Sequence, residues 1–220
     1  MTVYVGPAAP AIKYKHMMTD IESLSTHISN AFILSFALQP FNMTATGPKF
    51  GRPRLILPNP YQQIALGREI DPKTHQWWLD QTPEARKHWA DPNYGAADGE
   101  IMPERPTLEE LPQLIGNVWK DWIENPECPL WANGIIFDIG NLDNICEGVV
   151  SWKYNSPRDQ RTMTRHLPPR RERWGDRGTN WHDPVADCIN QCWDLWEVWP
   201  EDYEASLPQI PPTPSQASAG

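Results

Sequence analysis

Asp20 and Glu22 stand two positions apart in MMTDIESLS, at the end of a run that reads as a strand. On a strand, side chains two positions apart share a face, so these carboxylates project together and repel each other. A hard divalent cation, which prefers carboxylate oxygens, relieves that repulsion. Two later stretches offer partners for such an ion. Asp138 in GIIFDIGNL follows Ile135, Ile136 and Phe137 and is expected at the end of a buried strand, at a sheet edge. His182 and Asp187 in HDPVAD fall just before and within the first turns of the last helix. There Asp187 can supply a ligand while His182 leans over the same site. An imidazole near its ordinary pKa can take a proton at neutral pH, a property that catalysis uses and mere ion binding does not.

Each of the five also has an ordinary structural reading. Asp20 and Glu22 suit a solvated strand end, Asp138 a cap for the following helix, His182 a surface histidine, and Asp187 a favourable charge near a helix N-terminus. Their joint occurrence in these contexts outweighs the separate explanations.

The elements that must position them follow from hydrophobic spacing. YKHMMTDIE and AFILSFALQPF read as two strands joined by a polar turn, with PRLILP as a short third, giving an antiparallel start to a sheet. DPKTHQWWLDQTPEARKHW opens with Asp71 as cap and Pro72 as first helical residue and breaks into two helices at Pro83. TLEELPQLIGNVWKDWIEN has Thr107 and Glu110 in a capping-box arrangement, with Pro112 in the first turns. LWANGIIFDIGNLDNI reads as a buried strand running into a helix. The last helix begins at Asp183 and Pro184 and carries Val185, Cys188, Ile189, Cys192, Leu195 and Trp196 on one stripe. Strands first, then alternating helix and strand, predict a mixed sheet flanked by helices.

A chain of 220 residues with 40% hydrophobic content suits one substantial core. The expected layout is a flexible arm over 1–12, one domain over 13–200, and a Pro/Ser/Ala-rich disordered tail over 201–220. A formal charge of −9 argues against wholesale attraction to polyanions, so a nucleic acid would need a local basic surface or bound metal ions. No run approaches a membrane span and the start lacks an apolar signal core, so a cytoplasmic protein without membrane partners is expected, in the host cytoplasm if phage-encoded. Cys128, Cys146, Cys188 and Cys192 form no Cys-x-x-Cys pair and read as buried packing.

Taken together, Asp-x-Glu on a first strand, Phe-Asp at a later strand end and His-x4-Asp on a C-terminal helix resemble the three motifs of the DEDDh, or DnaQ-like, 3′–5′ exonucleases. WWLDQTPEARKHW, WANGIIFDIGNL, SPRDQRT and HDPVADC look like the phage-type DexA exonucleases and the short bacterial exoribonucleases, a similarity running from about residue 14 to about residue 199. The resemblance implies an α/β ribonuclease H-like fold with a mixed central sheet. It implies that Asp20, Glu22, Asp138 and Asp187 hold two Mg²⁺ or Mn²⁺ ions and that His182 is the general base. The implied activity is release of nucleoside 5′-monophosphates from the 3′ ends of single strands, with DNA ahead of RNA. Ser23 stands where many relatives have Thr, and the Gly usual after Leu24 is missing, which puts the backbone contacts of Ser23 and Leu24 to the terminal nucleotide in question.

For the rest of the substrate, PRDQRTMTRHLPPRRERWGDR holds seven Arg against three acids, and Arg matches phosphate with paired hydrogen bonds. Arg170, Arg171 and Arg173 are the expected backbone contacts, and Arg161 is either a further phosphate contact or a partner of Asp159. Of adjacent Trp77 and Trp78, one should point inward and one toward the groove, and Trp78 is the candidate for base stacking. Two non-enzymatic readings compete: a binding module on the same fold, and an interaction protein engaging a basic partner through Asp194, Glu197, Glu201, Asp202 and Glu204. A homodimer is compatible with all three readings.

Overall fold

A computed structural model of the chain describes residues 13–91, 104–125, 127–149, 152–168, 182–201 and 203. The expected arm over 1–12 and nearly all of the expected tail lie outside these.

The two apolar runs form β1 (His16–Ser23) and β2 (Ile33–Thr44), paired antiparallel so that Asp20 faces Ala37 and Glu22 faces Ser35 across the ladder. β2 turns into β3 (Gly47–Phe50), a strand not expected from its four residues and its proline. Gly47 makes that turn with φ 130°, and a Cβ there would lie 2.6 Å from the Trp193 ring, so the position needs glycine twice over. PRLILP supplies β4 (Arg54–Ile56), also antiparallel to β2. β5 (Leu130–Ala132) lies parallel to β1, and β6 (Pro157–Asp159) parallel to β5. The sheet therefore runs β3-β2-β1-β5-β6 with β4 beside β2, an α/β arrangement with a mixed sheet that is consistent with the ribonuclease H-like fold.

The helices are α1 (Pro60–Ala65), α2 (Pro72–Asp80), α3 (Pro83–Ala90), α4 (Leu111–Trp122), α5 (Ile135–Ile145), α6 (Gln160–Thr164) and α7 (Pro184–Glu197). Asp71 and Asp183 accept backbone N–H groups at the starts of α2 and α7, as expected, and Thr82 does the same at the start of α3. Glu110 accepts the Thr107 N–H at 2.8 Å, half of the predicted capping box, but regular helix starts only at Leu111, after one tighter turn.

Alternation along β1 sorts its side chains onto two layers. Met17 and Ile21 pack with Ile115 and Val118 of α4 and Leu142 of α5 on one face. Met18 packs with Val185, Cys188 and Cys192 of α7 on the other. Asp20 and Glu22, in step with Met18, therefore lie on the α7 face. All four cysteines are free and buried, as packing residues should be. Among the described residues no helix is long and apolar enough to cross a membrane.

Candidate active site

The strand end and the start of α7 meet at three carboxylates. Asp20, Glu22 and Asp187 each present an oxygen, and these atoms all lie within 4.8 Å of one another. Space for them comes from the opposite strand, where small Ala37 and Ser35 stand across from Asp20 and Glu22. Asp187 lies one turn into α7, and its Oδ2 accepts the His182 backbone N–H at 3.0 Å. That bond bends the chain before the helix, with His182 in the left-handed region at φ 70°.

Burial makes this cluster electrostatically unstable without a cation. Glu22 is only 8% exposed, and desolvation, followed by repulsion from Asp20, Asp187, Asp138 and Asp183, pushes its carboxyl well above the usual range. The Ser35 hydroxyl and the Gln191 carbonyl oxygen are buried nearby along the same face without hydrogen-bond partners among the described residues. Clustered hard oxygens with unmet charge fit a divalent metal ion.

Asp138 departs from expectation. The strand ends at Ala132, Gly134 begins the helix, and Asp138 sits in the first turn of α5 rather than at a strand end. Asn133 and Gly134 interrupt the apolar run sooner than the continuous IIF stretch suggests. Its Oδ2 accepts the Gly134 N–H at 3.0 Å, but Gly134 holds the N-cap position and Asp138 lies inside the helix, so it is not the cap that its sequence position also allowed. It falls outside the mutual 4.8 Å group yet close enough to raise Glu22. Burial pushes Asp138 up to about 7, against the opposing pull of the Gly134 N–H and Arg161.

This has a consequence for metal-free stability. A carboxyl protonating near 7 when folded and near 4 when unfolded favours the folded state most at low pH, and that contribution is lost as pH rises through the window between them. Asp138→Asn, which keeps an acceptor for Gly134, is thus expected to stabilise the metal-free protein at pH 7.5 by roughly 2–4 kcal/mol. Chemical denaturation with chelator present measures it, and the gain should vanish near pH 4.

His182 packs edge-on against Trp77 and Trp78, with ring centroids 4.7 and 5.7 Å away. Burial lowers its pKa, which keeps the imidazole neutral at pH 7 and able to accept a proton. Trp78 is 1% exposed, and its Nε1 donates to the Ser23 carbonyl at 2.8 Å. It cannot offer a face to a base, contrary to expectation; Trp77, 42% exposed, is the tryptophan facing outward. Ser23 and Leu24 are also more committed than expected. The Leu24 N–H bonds Phe32, its carbonyl accepts Asp71, and the Ser23 hydroxyl bonds the Ser25 carbonyl. Their backbone is pinned to the loop and to the α2 cap.

Arg161 is exposed on α6 and lies near Asp138, with Nη2 3.9 Å from where a Gly134 Cβ would be. Arg170, Arg171 and Arg173 lie outside the described residues. Asp194 is buried at 3%, beside Gln160, so it is no exposed contact for a basic partner; Asp202 and Glu204 are outside the described residues.

Gln191 is the residue that sequence reasoning missed. It is 2% exposed and donates from Nε2 to Asp20 Oδ1 at 2.6 Å. The signal was its place four residues after Asp187, on the same helix face. Below it Cys188 is fully buried, and burial followed by the Asp20 charge holds its thiol far above the usual range, which makes it inert packing.

The family model described as the 3′–5′ exoribonuclease Rv2179c-like domain matches residues 15–199. The chain belongs to that family. The Rv2179c-like domain so defined spans β1 to the end of α7, takes in the whole carboxylate cluster and His182, and identifies the protein as a 3′–5′ exonuclease, a hydrolase of phosphodiester bonds. Its description names RNA, whereas the motifs in the sequence put DNA ahead of RNA. No curated protein matches the chain.

Proposed function

We propose that the protein is a DEDDh-type, metal-dependent exoribonuclease that removes nucleoside 5′-monophosphates one at a time from single-stranded 3′ ends. The observation carrying this reading is the convergence of Asp20, Glu22 and Asp187 within 4.8 Å beside a half-buried histidine. Asp20, Glu22 and Asp187, with Asp138 at their edge, are the residues that would hold Mg²⁺ or Mn²⁺. Two such ions, when bound, supply positive charge for the scissile phosphate and the leaving 3′ oxygen. The same charge offsets the acidity of the chain toward a polyanion.

His182 takes a proton from the attacking water, whose oxygen forms a new bond to phosphorus as the bond from phosphorus to the 3′ oxygen breaks. The products are a nucleoside 5′-monophosphate and a strand ending in a new 3′ hydroxyl. Trp77 and Trp78 both pack edge-on against the imidazole, and Trp77 offers its outward face to the terminal base. Arg161, with Arg170, Arg171 and Arg173, contacts phosphates further along the strand. Gln191 orients Asp20. Its replacement by Leu is expected to lower activity and Mn²⁺ affinity each by roughly 10–100-fold, read by strand shortening and by calorimetry. A Gln191→Leu protein with unchanged affinity removes that role.

Incubation with 5′-labelled single-stranded RNA and DNA of the same sequence, with Mg²⁺, with Mn²⁺ and with chelator, tests the reading. A ladder that shortens from the 3′ end, faster on RNA and absent with chelator, is expected. Shortening that persists in chelator, or DNA degraded faster than RNA, contradicts it. The rival binding module is favoured if labelled strands are retained intact under every condition.

A further inference from the structure

A cavity of about 610 Å³ opens among the C-terminal end of α5, α1 and the start of α4, at residues that the catalytic proposal does not use. Arg68 lines it and is only 7% exposed. Its Nε donates to the Ala31 carbonyl at 2.8 Å, Nη1 to Asn144 Oδ1 at 2.8 Å and Nη2 to Asn141 Oδ1 at 3.2 Å. All three acceptors are neutral. A guanidinium has five N–H donors, so one on each terminal nitrogen is left without an acceptor among the described residues. Burial lowers the pKa of Arg68, in keeping with a cation whose hydrogen-bonded partners carry no charge.

The rest of the lining limits what the cation can meet. Leu66, Leu108, Pro112, Ile145 and Val149 make one wall apolar. Glu109 and Glu147 stand at the same cavity, and two acids there disfavour a doubly charged phosphate. One negative charge with two coplanar oxygens and an aliphatic body matches the fork and the wall together.

We propose that this cavity is a binding site for a small aliphatic monocarboxylate, with its carboxylate on Arg68 and its chain along Leu66, Leu108 and Val149. The site is independent of the nuclease reading and stands or falls without it.

Titration of the full ¹⁵N-labelled chain with sodium hexanoate, hexanol and inorganic phosphate, at matched ionic strength, tests this. Hexanoate should give saturable shifts in the Arg68 Nε–H and Asn144 side-chain signals. Hexanol and phosphate should bind at least roughly tenfold more weakly, the scale of one charge-assisted hydrogen bond. Arg68→Gln should abolish the preference for the acid over the alcohol. Because Arg68 also ties Ala31 to α5, Val149→Glu, at a rim position 64% exposed, provides a second variant; it should weaken hexanoate roughly tenfold more than hexanol, since the lost apolar contact affects both ligands and the added like charge only the acid. No saturable shift, equal binding of hexanol or phosphate, or indifference of hexanoate to Val149→Glu overturns the proposal.

Discussion

Exchange of Asp20 for Ala should slow the shortening of a labelled single strand by roughly a thousandfold or more, the scale expected when a principal source of transition-state charge stabilisation is removed. Asp20 occupies the junction of the site. It shares a strand face with Glu22, lies within 4.8 Å of an Asp187 oxygen, and is held by Gln191. Without it, two carboxylates and an orphaned amide remain, too few to fix a pair of ions. The effect on folding should run the other way. Of the neighbouring charges, Asp20 raises Glu22 the most, so its loss relieves repulsion in the metal-free protein. A thermal scan with chelator should therefore give a midpoint no lower than that of the unaltered chain. Inactivity with an unchanged or raised midpoint separates a lost ligand from a lost fold; an Asp20→Ala protein that still degrades RNA at near the original rate refutes the assignment.

The second large effect belongs to His182. Removal of a general base costs about 10²–10⁴ in rate. The His182 backbone N–H donates to Asp187, and that bond survives a side-chain change. Its left-handed φ of 70° disfavours Ala, whereas Asn tolerates that region, which makes His182→Asn the cleaner substitution. The expected outcome is a rate lowered by that factor with Mn²⁺ affinity, measured by calorimetry, within about threefold of the original. Equal losses of affinity and rate would instead mean that His182 serves to shape the metal site.

Local chemistry made much of this legible in the chain. Asp-x-Glu at a strand end, and cap-then-proline at Asp71–Pro72 and Asp183–Pro184, are decided by neighbours two to four residues away, and those expectations match the structure. What depends on distant packing was harder. The direction in which Trp77 and Trp78 point is set by the Ser23 carbonyl, more than fifty residues earlier, which claims the Trp78 indole. The continuous apolar run before Asp138 suits a buried strand and a buried helix equally, and the helix won because Gly134 begins it and α5 buries Ile139 and Leu142 against the sheet. Gln191 was legible in principle, since its spacing from Asp187 is helical, but nothing local distinguishes a glutamine that orients a ligand from one facing water.

Anomalous scattering from crystals equilibrated with Mn²⁺ tests most directly whether acids remote in sequence gather two ions. The expected result is a pair of peaks at the β1 end, one ligated by Asp20, Glu22 and Asp187 and the second shared toward Asp138, both lost in Asp20→Ala. Saturating Mn²⁺ that leaves this position empty while the same preparation shortens RNA would contradict it.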